Sequence, residues 1–189
     1  MRIGLVGGTF NPPHQAHLLI SLIALKRLEL DRVWWLVTPG NPLKNNALLP
    51  SVAARMSAAE SLARHPRIDV TGVESALHTR YTYETLAWLV RRCPGVRFVW
   101  LMGADNLAGF HRWNRWKALF RLIPVAVMDR PGATFSAVRG RAALAFSSRR
   151  LPESAAPRLA LKRPPAWVFL HGTRSSLSST ALRRLSSGR

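Results

Sequence analysis

Residues 2–7 form a short apolar run that ends in Gly7-Gly8, and residues 14–28 follow with apolar side chains at Ala16, Leu19, Ile20, Ile23, Ala24 and Leu28. The first pattern suits a buried strand; the second has the spacing of a helix with one apolar face. This opening unit constrains the fold more than any other feature, because the alternation continues along the chain. Residues 32–38 read as a second strand, stopped by Pro39-Gly40-Asn41-Pro42. A helix is expected over 52–63, entered through Pro50-Ser51 with Ser51 as N-cap. Further strands are expected at 68–70, 96–102, 124–128 and 167–170, and further helices at 83–92, 114–121 and 178–185. Strands alternating with helices imply an α/β fold, a Rossmann-like doubly wound parallel sheet with helices on both faces. Such sheets bind ligands at the carboxyl ends of their strands, near a switch in strand order. The loops after Val6, Val37, Met102 and Leu170 are therefore the ones to read.

A chain of 189 residues suits one such domain, expected to span 1–189. Residues 132–165, rich in Arg, Ala, Ser and Pro, read as a basic, insertion-like segment with one or two short helices. Cys93 is alone, so it forms no internal disulfide, and no apolar run is long enough for a signal peptide or a membrane span. A cytoplasmic protein with no membrane partner is expected. Lys and Arg number 28 against 9 Asp and Glu, a net charge of +19. That excess attracts polyanions without choosing among nucleic acid, anionic membrane and phosphorylated small molecules. Biased base composition in the encoding genome would explain it equally well.

The first loop carries the chemistry. Gly7 and Gly8 permit close backbone approach to a ligand, Thr9 adds a hydroxyl and an N–H, and Pro12-Pro13 stiffens the segment before the helix. The N-terminus of that helix presents unpaired N–H groups and a positive dipole end, which suit phosphate. His14 and His17 are three residues apart and share one helix face, where two imidazoles can donate to phosphate oxygens. Metal binding and plain core packing are the alternatives, although zinc would require further ligands that do not appear nearby. The chain has neither GxxxxGK[ST] nor GxGxxG, which argues against a Walker-type loop and a dinucleotide-binding oxidoreductase.

The segment GGTFNPPHQAH resembles the T/HxGH motif of the nucleotidyltransferase superfamily, and GGTFNPPH is similar to the bacterial nicotinate mononucleotide adenylyltransferases. Ala16 departs from that pattern, standing where the family usually has glycine. The remaining matches occur in family order. Pro42-Leu43-Lys44 is similar to a Pro-His-Lys loop, with Leu43 in place of His, and Arg55-Met56 matches an Arg-Met pair. Tyr81-Thr82-Tyr83-Glu84-Thr85-Leu86 resembles Ser-Tyr-Thr-x-x-Thr-Leu, and Gly103-Ala104-Asp105 resembles Gly-x-Asp after a strand. Trp113 falls where the family has a tryptophan, and Ser178-Ser179-Thr180-Ala181-Leu182-Arg183 is similar to Ser-Ser-Thr-x-Ile-Arg. Read by themselves, Thr82 and Asp105 are also ordinary helix caps, Thr85 an inward-facing residue, Lys44 a solvated lysine, and Ser178 to Arg183 a capping motif with a surface arginine.

The resemblance implies transfer of the adenylyl group of ATP to nicotinate mononucleotide, giving deamido-NAD and pyrophosphate. It implies catalytic roles for His14, His17, Lys44 and Arg183. ATP contacts would come from Gly7, Gly8, Thr9, Phe10, His14, His17, Gly103, Asp105, Ser178, Ser179, Thr180 and Arg183. Thr82, Thr85, Asp105, Trp113 and Lys44 would hold nicotinate mononucleotide, with Trp113 stacked on the pyridine ring and Trp116 in the core or a pocket wall. Mg2+ is expected to arrive on ATP rather than in a cage of protein side chains. Rival readings are a related adenylyltransferase acting on nicotinamide mononucleotide or phosphopantetheine, and, from another class, a basic nucleic-acid-binding module. No recognised nucleic-acid motif supports the last, and oligomeric state is not readable.

Overall fold

The computed structural model describes residues 1–43 and 45–172. Lys44, and the expected terminal helix with Ser178, Ser179, Thr180 and Arg183, lie outside the described residues. In chain order the elements are β1 (Arg2–Gly8), α1 (Gln15–Arg27), β2 (Arg32–Val37), α2 (Val52–Leu62), β3 (Ile68–Thr71), α3 (Val73–Ala76), α4 (Thr82–Arg92) and β4 (Arg97–Gly103). Then follow α5 (Ala104–Gly109), α6 (Trp116–Leu122), β5 (Val125–Met128), α7 (Thr134–Val138), α8 (Arg141–Ala145), β6 (Arg150–Leu151), a 3-10 stretch (Glu153–Leu161) and β7 (Trp167–Leu170). Among the described residues, seven strands form one sheet in the order β3-β2-β1-β4-β5-β7-β6, and every pairing is parallel.

The two-residue period of the strands divides the core between the two faces. On β4, Trp100 and Met102 join Leu86, Leu107, Phe110 and Phe120 on one side. Val99 and Leu101 join Ala24, Leu25, Ala59 and Leu159 on the other. A sheet covered on both faces needs apolar residues at consecutive strand positions, which is why residues 96–102 and 167–170 show no polar alternation.

The expected strands and helices are present among the described residues, with small shifts at their ends. Ser51 caps α2 and accepts from the Ala54 N–H at 3.2 Å. The helix expected from 114 begins at Trp116, because Arg115 stands in the left-handed region with φ 51°. Thr82 is not the cap of α4. Tyr81 is, and the Glu84 carboxylate accepts its backbone N–H at 3.2 Å.

The basic segment holds α7, α8, β6 and the 3-10 stretch, more structure than one or two helices. β6 extends the sheet beyond β7, and Trp167 Nε1 donates to the Phe146 carbonyl at 2.8 Å from within the core. Two-residue strands and five-residue helices are too short to set up a readable period. Among the described residues, no helix is long and apolar enough to cross a membrane.

Candidate functional site

The strand order reverses at β1. The chain runs outward through β2 and β3, then returns to place β4 on the other side of β1. The loops after β1 and β4 consequently part, and a cleft of about 500 Å³ opens over their carboxyl ends.

Its floor is the first loop. A Cβ on Gly7 would lie 2.5 Å from Cη2 of Trp100, so the glycine admits the buried indole beneath the cleft. Phe10 has φ 47°, a conformation unusual for a residue with a Cβ. Packing holds it there: its ring stacks on Trp35 at 5.1 Å and lies 4.6 Å from the His17 ring. Below, Trp35 Nε1 donates to Ser21 Oγ at 2.7 Å, and that hydroxyl donates to the His17 carbonyl at 2.8 Å.

His14 is the N-cap of α1, and its ring centroid lies 3.9 Å from that of His17. The His14 backbone N–H donates to His17 Nδ1 at 3.2 Å. With Nδ1 accepting, this hydrogen bond assigns the proton of neutral His17 to Nε2, which is left as a donor. Burial pushes His17 down to about 3, helped by His14 and the positive charge of Arg130. Burial and Arg130 push His14 down to about 4. Both imidazoles are neutral near pH 7 without ligand.

Arg55 fastens this end of the site. Only 3% exposed, it donates through Nη1 to the carbonyls of Thr9 and Thr38, both at 2.7 Å. Nε reaches the Pro50 carbonyl at 2.9 Å and Nη2 that of Pro39 at 3.2 Å. One guanidinium thus joins the loops after β1 and β2 to the entrance of α2.

The start of α4 forms the opposite wall, where Thr82 lines the cleft. Thr85 does not. It is fully buried, shares a 2.7 Å hydrogen bond with Thr79 Oγ1, and donates to Glu74 Oε1 at 3.4 Å. Glu74 itself borders the cleft. Burial raises its pKa, opposed by hydrogen bonds from Thr38 and Thr85. The folded protein therefore binds this proton more tightly than the unfolded chain does. Glu74 should cost stability as pH rises from the ordinary carboxylate value near 4.5. Glu74→Gln should gain on the parent over that rise, read as a widening difference in melting temperature. A difference that stays flat from pH 4.5 to 8 would contradict the assignment.

Trp113 also faces the cleft, edge-on to Trp100 with centroids 6.1 Å apart and tilted on Phe110 at 4.9 Å. Trp116 instead packs edge-on to Phe146, away from the cleft lining. Asp105, in the first turn of α5, accepts from Arg130 Nη1 at 2.9 Å. A Cβ on Gly103 would collide with the Asp105 carboxylate and press within 3.3 Å of Arg130 Cδ. Among the described residues, no group of three or more His, Cys, Asp or Glu could hold a metal ion.

The sequence profile of the cytidylyltransferase-like family matches residues 5–185. A Methylorubrum extorquens protein named probable nicotinate-nucleotide adenylyltransferase is 60% identical over 183 residues, 97% of this chain and 99% of its own. A Brucella suis protein of the same name is 55% identical over 98% of this chain and 95% of its own. The chain belongs to the nicotinate-nucleotide adenylyltransferase family. The fold is also that of Plasmodium falciparum nicotinic acid mononucleotide adenylyltransferase complexed with NaAD, with a TM-score of 0.71, 17% identity, and coverage of 97% of this chain and 82% of that one.

Of the positions singled out by resemblance to this adenylyltransferase family, Gly7, Gly8, Thr9, Phe10, His14, His17, Thr82, Gly103, Asp105 and Trp113 line one cleft. Thr85 stands behind Glu74. Glu74 and Arg130 carried no signal in the sequence. Each is a single charged residue near a strand end, and only the strand order brings them to the cleft.

Proposed function

We propose that this nucleotidyltransferase moves the adenylyl group of ATP to nicotinate mononucleotide, forming deamido-NAD and pyrophosphate in NAD biosynthesis. The observation that carries the reading is the 60% identity to a relative of that name over nearly the whole of both chains. The cleft is compatible with it in place and chemistry.

In this reading a phosphate oxygen of the mononucleotide attacks the α-phosphorus in line, the bond to the β-phosphate breaks, and pyrophosphate leaves with the electron pair. A phosphate dianion is already a nucleophile, so the protein's work is positioning and charge stabilisation. The N-terminus of α1 and the backbone of Gly7, Gly8, Thr9 and Phe10 receive the triphosphate. His14 and His17 donate to its oxygens, and charge building there in the transition state strengthens those bonds. Asp105 takes ribose hydroxyls. The first N–H groups of α4, at Thr82, take the nicotinate carboxylate, and Trp113 stacks on the pyridine ring. Thr85 supports that wall through Glu74. From the family resemblance alone, Lys44, Ser178, Ser179, Thr180 and Arg183 add phosphate contacts. Mg2+ enters as part of the ATP substrate, held by phosphate and water oxygens. We place the reaction in the cytoplasm, in accord with the lone Cys93.

The test is pyrophosphate release from ATP with each mononucleotide in parallel. Release is expected with the nicotinate form and slower with the nicotinamide form. The reverse preference would overturn the acceptor, and release with neither would overturn the reading.

A further inference from the structure

Arg130 follows β5, the neighbour of β4, and its side chain crosses Cα of Gly103 to reach the cleft. The side chain is only 17% exposed. Its position is set from behind: Asp129 Oδ1 accepts the Arg130 backbone N–H at 2.9 Å and also accepts from the Thr134 hydroxyl. In front, the guanidinium lines the same cleft as His14 and His17 and pairs with Asp105, whose side chain is 46% exposed. Arg130 also borders a shallow hollow lined by Ala16, Leu19 and Ile20 of α1 and by Leu170 at the end of β7, which neither Thr82 nor Trp113 touches.

We propose that Arg130 is a catalytic residue that grips the β- and γ-phosphates of ATP, the pyrophosphate leaving group, with Asp105 as its counter-ion in the ligand-free site. The inference rests on the adenylyl-transfer reading of the cleft. Two neutral imidazoles supply hydrogen bonds but no charge, whereas a leaving pyrophosphate gathers negative charge as its bond to the α-phosphorus breaks. A guanidinium in the same cleft adds positive charge to that proposed for Lys44 and Arg183, with a planar fork that matches phosphate oxygens. The Asp105 side of the ion pair is nearly half open to water, so that carboxylate can exchange its partner. When Arg130 turns to phosphate, the Asp105 carboxylate is released to accept from ribose, so ATP replaces one charge pair by two contacts.

The test uses the full chain with Arg130→Gln and Arg130→Lys, measuring pyrophosphate formation and equilibrium binding of ATP and of AMP. Turnover of the Gln variant should fall about 10²-fold or more. Its ATP affinity should fall about tenfold or more, with AMP affinity within about twofold because AMP lacks the gripped phosphates. Lys should restore part of the turnover. Equal weakening of ATP and AMP would show a merely structural role and overturn the proposal, as would a Gln variant with unchanged turnover and ATP affinity. If the Gln variant does not fold, the Lys variant decides: reduced turnover with AMP affinity kept supports the proposal, and unchanged turnover overturns it. If the parent releases no pyrophosphate with nicotinate mononucleotide, the functional reading fails, while the ATP-against-AMP comparison still decides whether Arg130 holds the outer phosphates.

Discussion

His17→Ala should lower turnover by about 10²- to 10³-fold, the usual loss when one preorganised donor to a developing charge is removed. The Nδ1 of His17 is occupied by the backbone N–H of His14, so the imidazole has one donor to offer, and it belongs to a residue lining the cleft. No solvent reorganisation is needed to aim it, because Phe10 and Trp35 pack around the ring. The loss should fall on turnover more than on the KM for the mononucleotide, since the proposed contacts to the acceptor are at the far wall. Steady-state assays with a thermal melt as a folding control would check it. Near-normal turnover in a folded His17→Ala protein would remove His17 from the mechanism.

The same substitution should change the response to acid. The native pKa values, about 4 for His14 and about 3 for His17, lie below the ordinary 6.5. Below pH 6.5 the unfolded chain therefore binds more protons than the native protein, and stability falls as pH drops through this window toward the native values. The variant should show a shallower loss between pH 6.5 and 4.

Arg55→Met should be among the most destabilising single changes outside the apolar core. It would strip four carbonyls, those of Thr9, Thr38, Pro39 and Pro50, of their shared donor. An unsatisfied buried acceptor costs about 1–3 kcal/mol. Water can reach some of these groups, so we expect a net loss of about 3 kcal/mol or more, a fall in melting temperature of about 6–12 °C for a chain of this size. Arg55→Lys should recover only part, since a single ammonium cannot reproduce the fork. Activity should suffer beyond stability, because Thr9 lies in the loop proposed to receive phosphate and Thr38 is a partner of Glu74. A melting temperature within about 2 °C of the parent would refute this account.

Arg55 also shows where sequence reading reaches its limit. Its pairing with Met56 was visible as a family match, but nothing local announces a buried cation serving three loops. Thr85 is a similar case. The family resemblance made it a ligand contact, whereas the residue read by itself was also an inward-facing threonine, and α4 turns Thr85 into the core. The first loop was legible for the opposite reason. The function proposed for it rests on glycines, a stiff turn and two histidines one helical turn apart, all set by near neighbours in the chain.

The sequence by itself determined the alternation of strand and helix, the glycine and histidine pattern from Gly7 to His17 on which the proposed phosphate site rests, and the family. Those properties follow from local period, local backbone freedom and a contiguous motif. The tertiary structure alone decided that β4 lies beside β1 and β5 beside β4. From that order come the cleft itself and the meeting there of Arg130 with Asp105 and the histidines, while β3 beside β2 brings Glu74 to the cleft's border. Strand order depends on which apolar faces pack best across the whole sheet, a sum over distant residues that no short window of the chain contains.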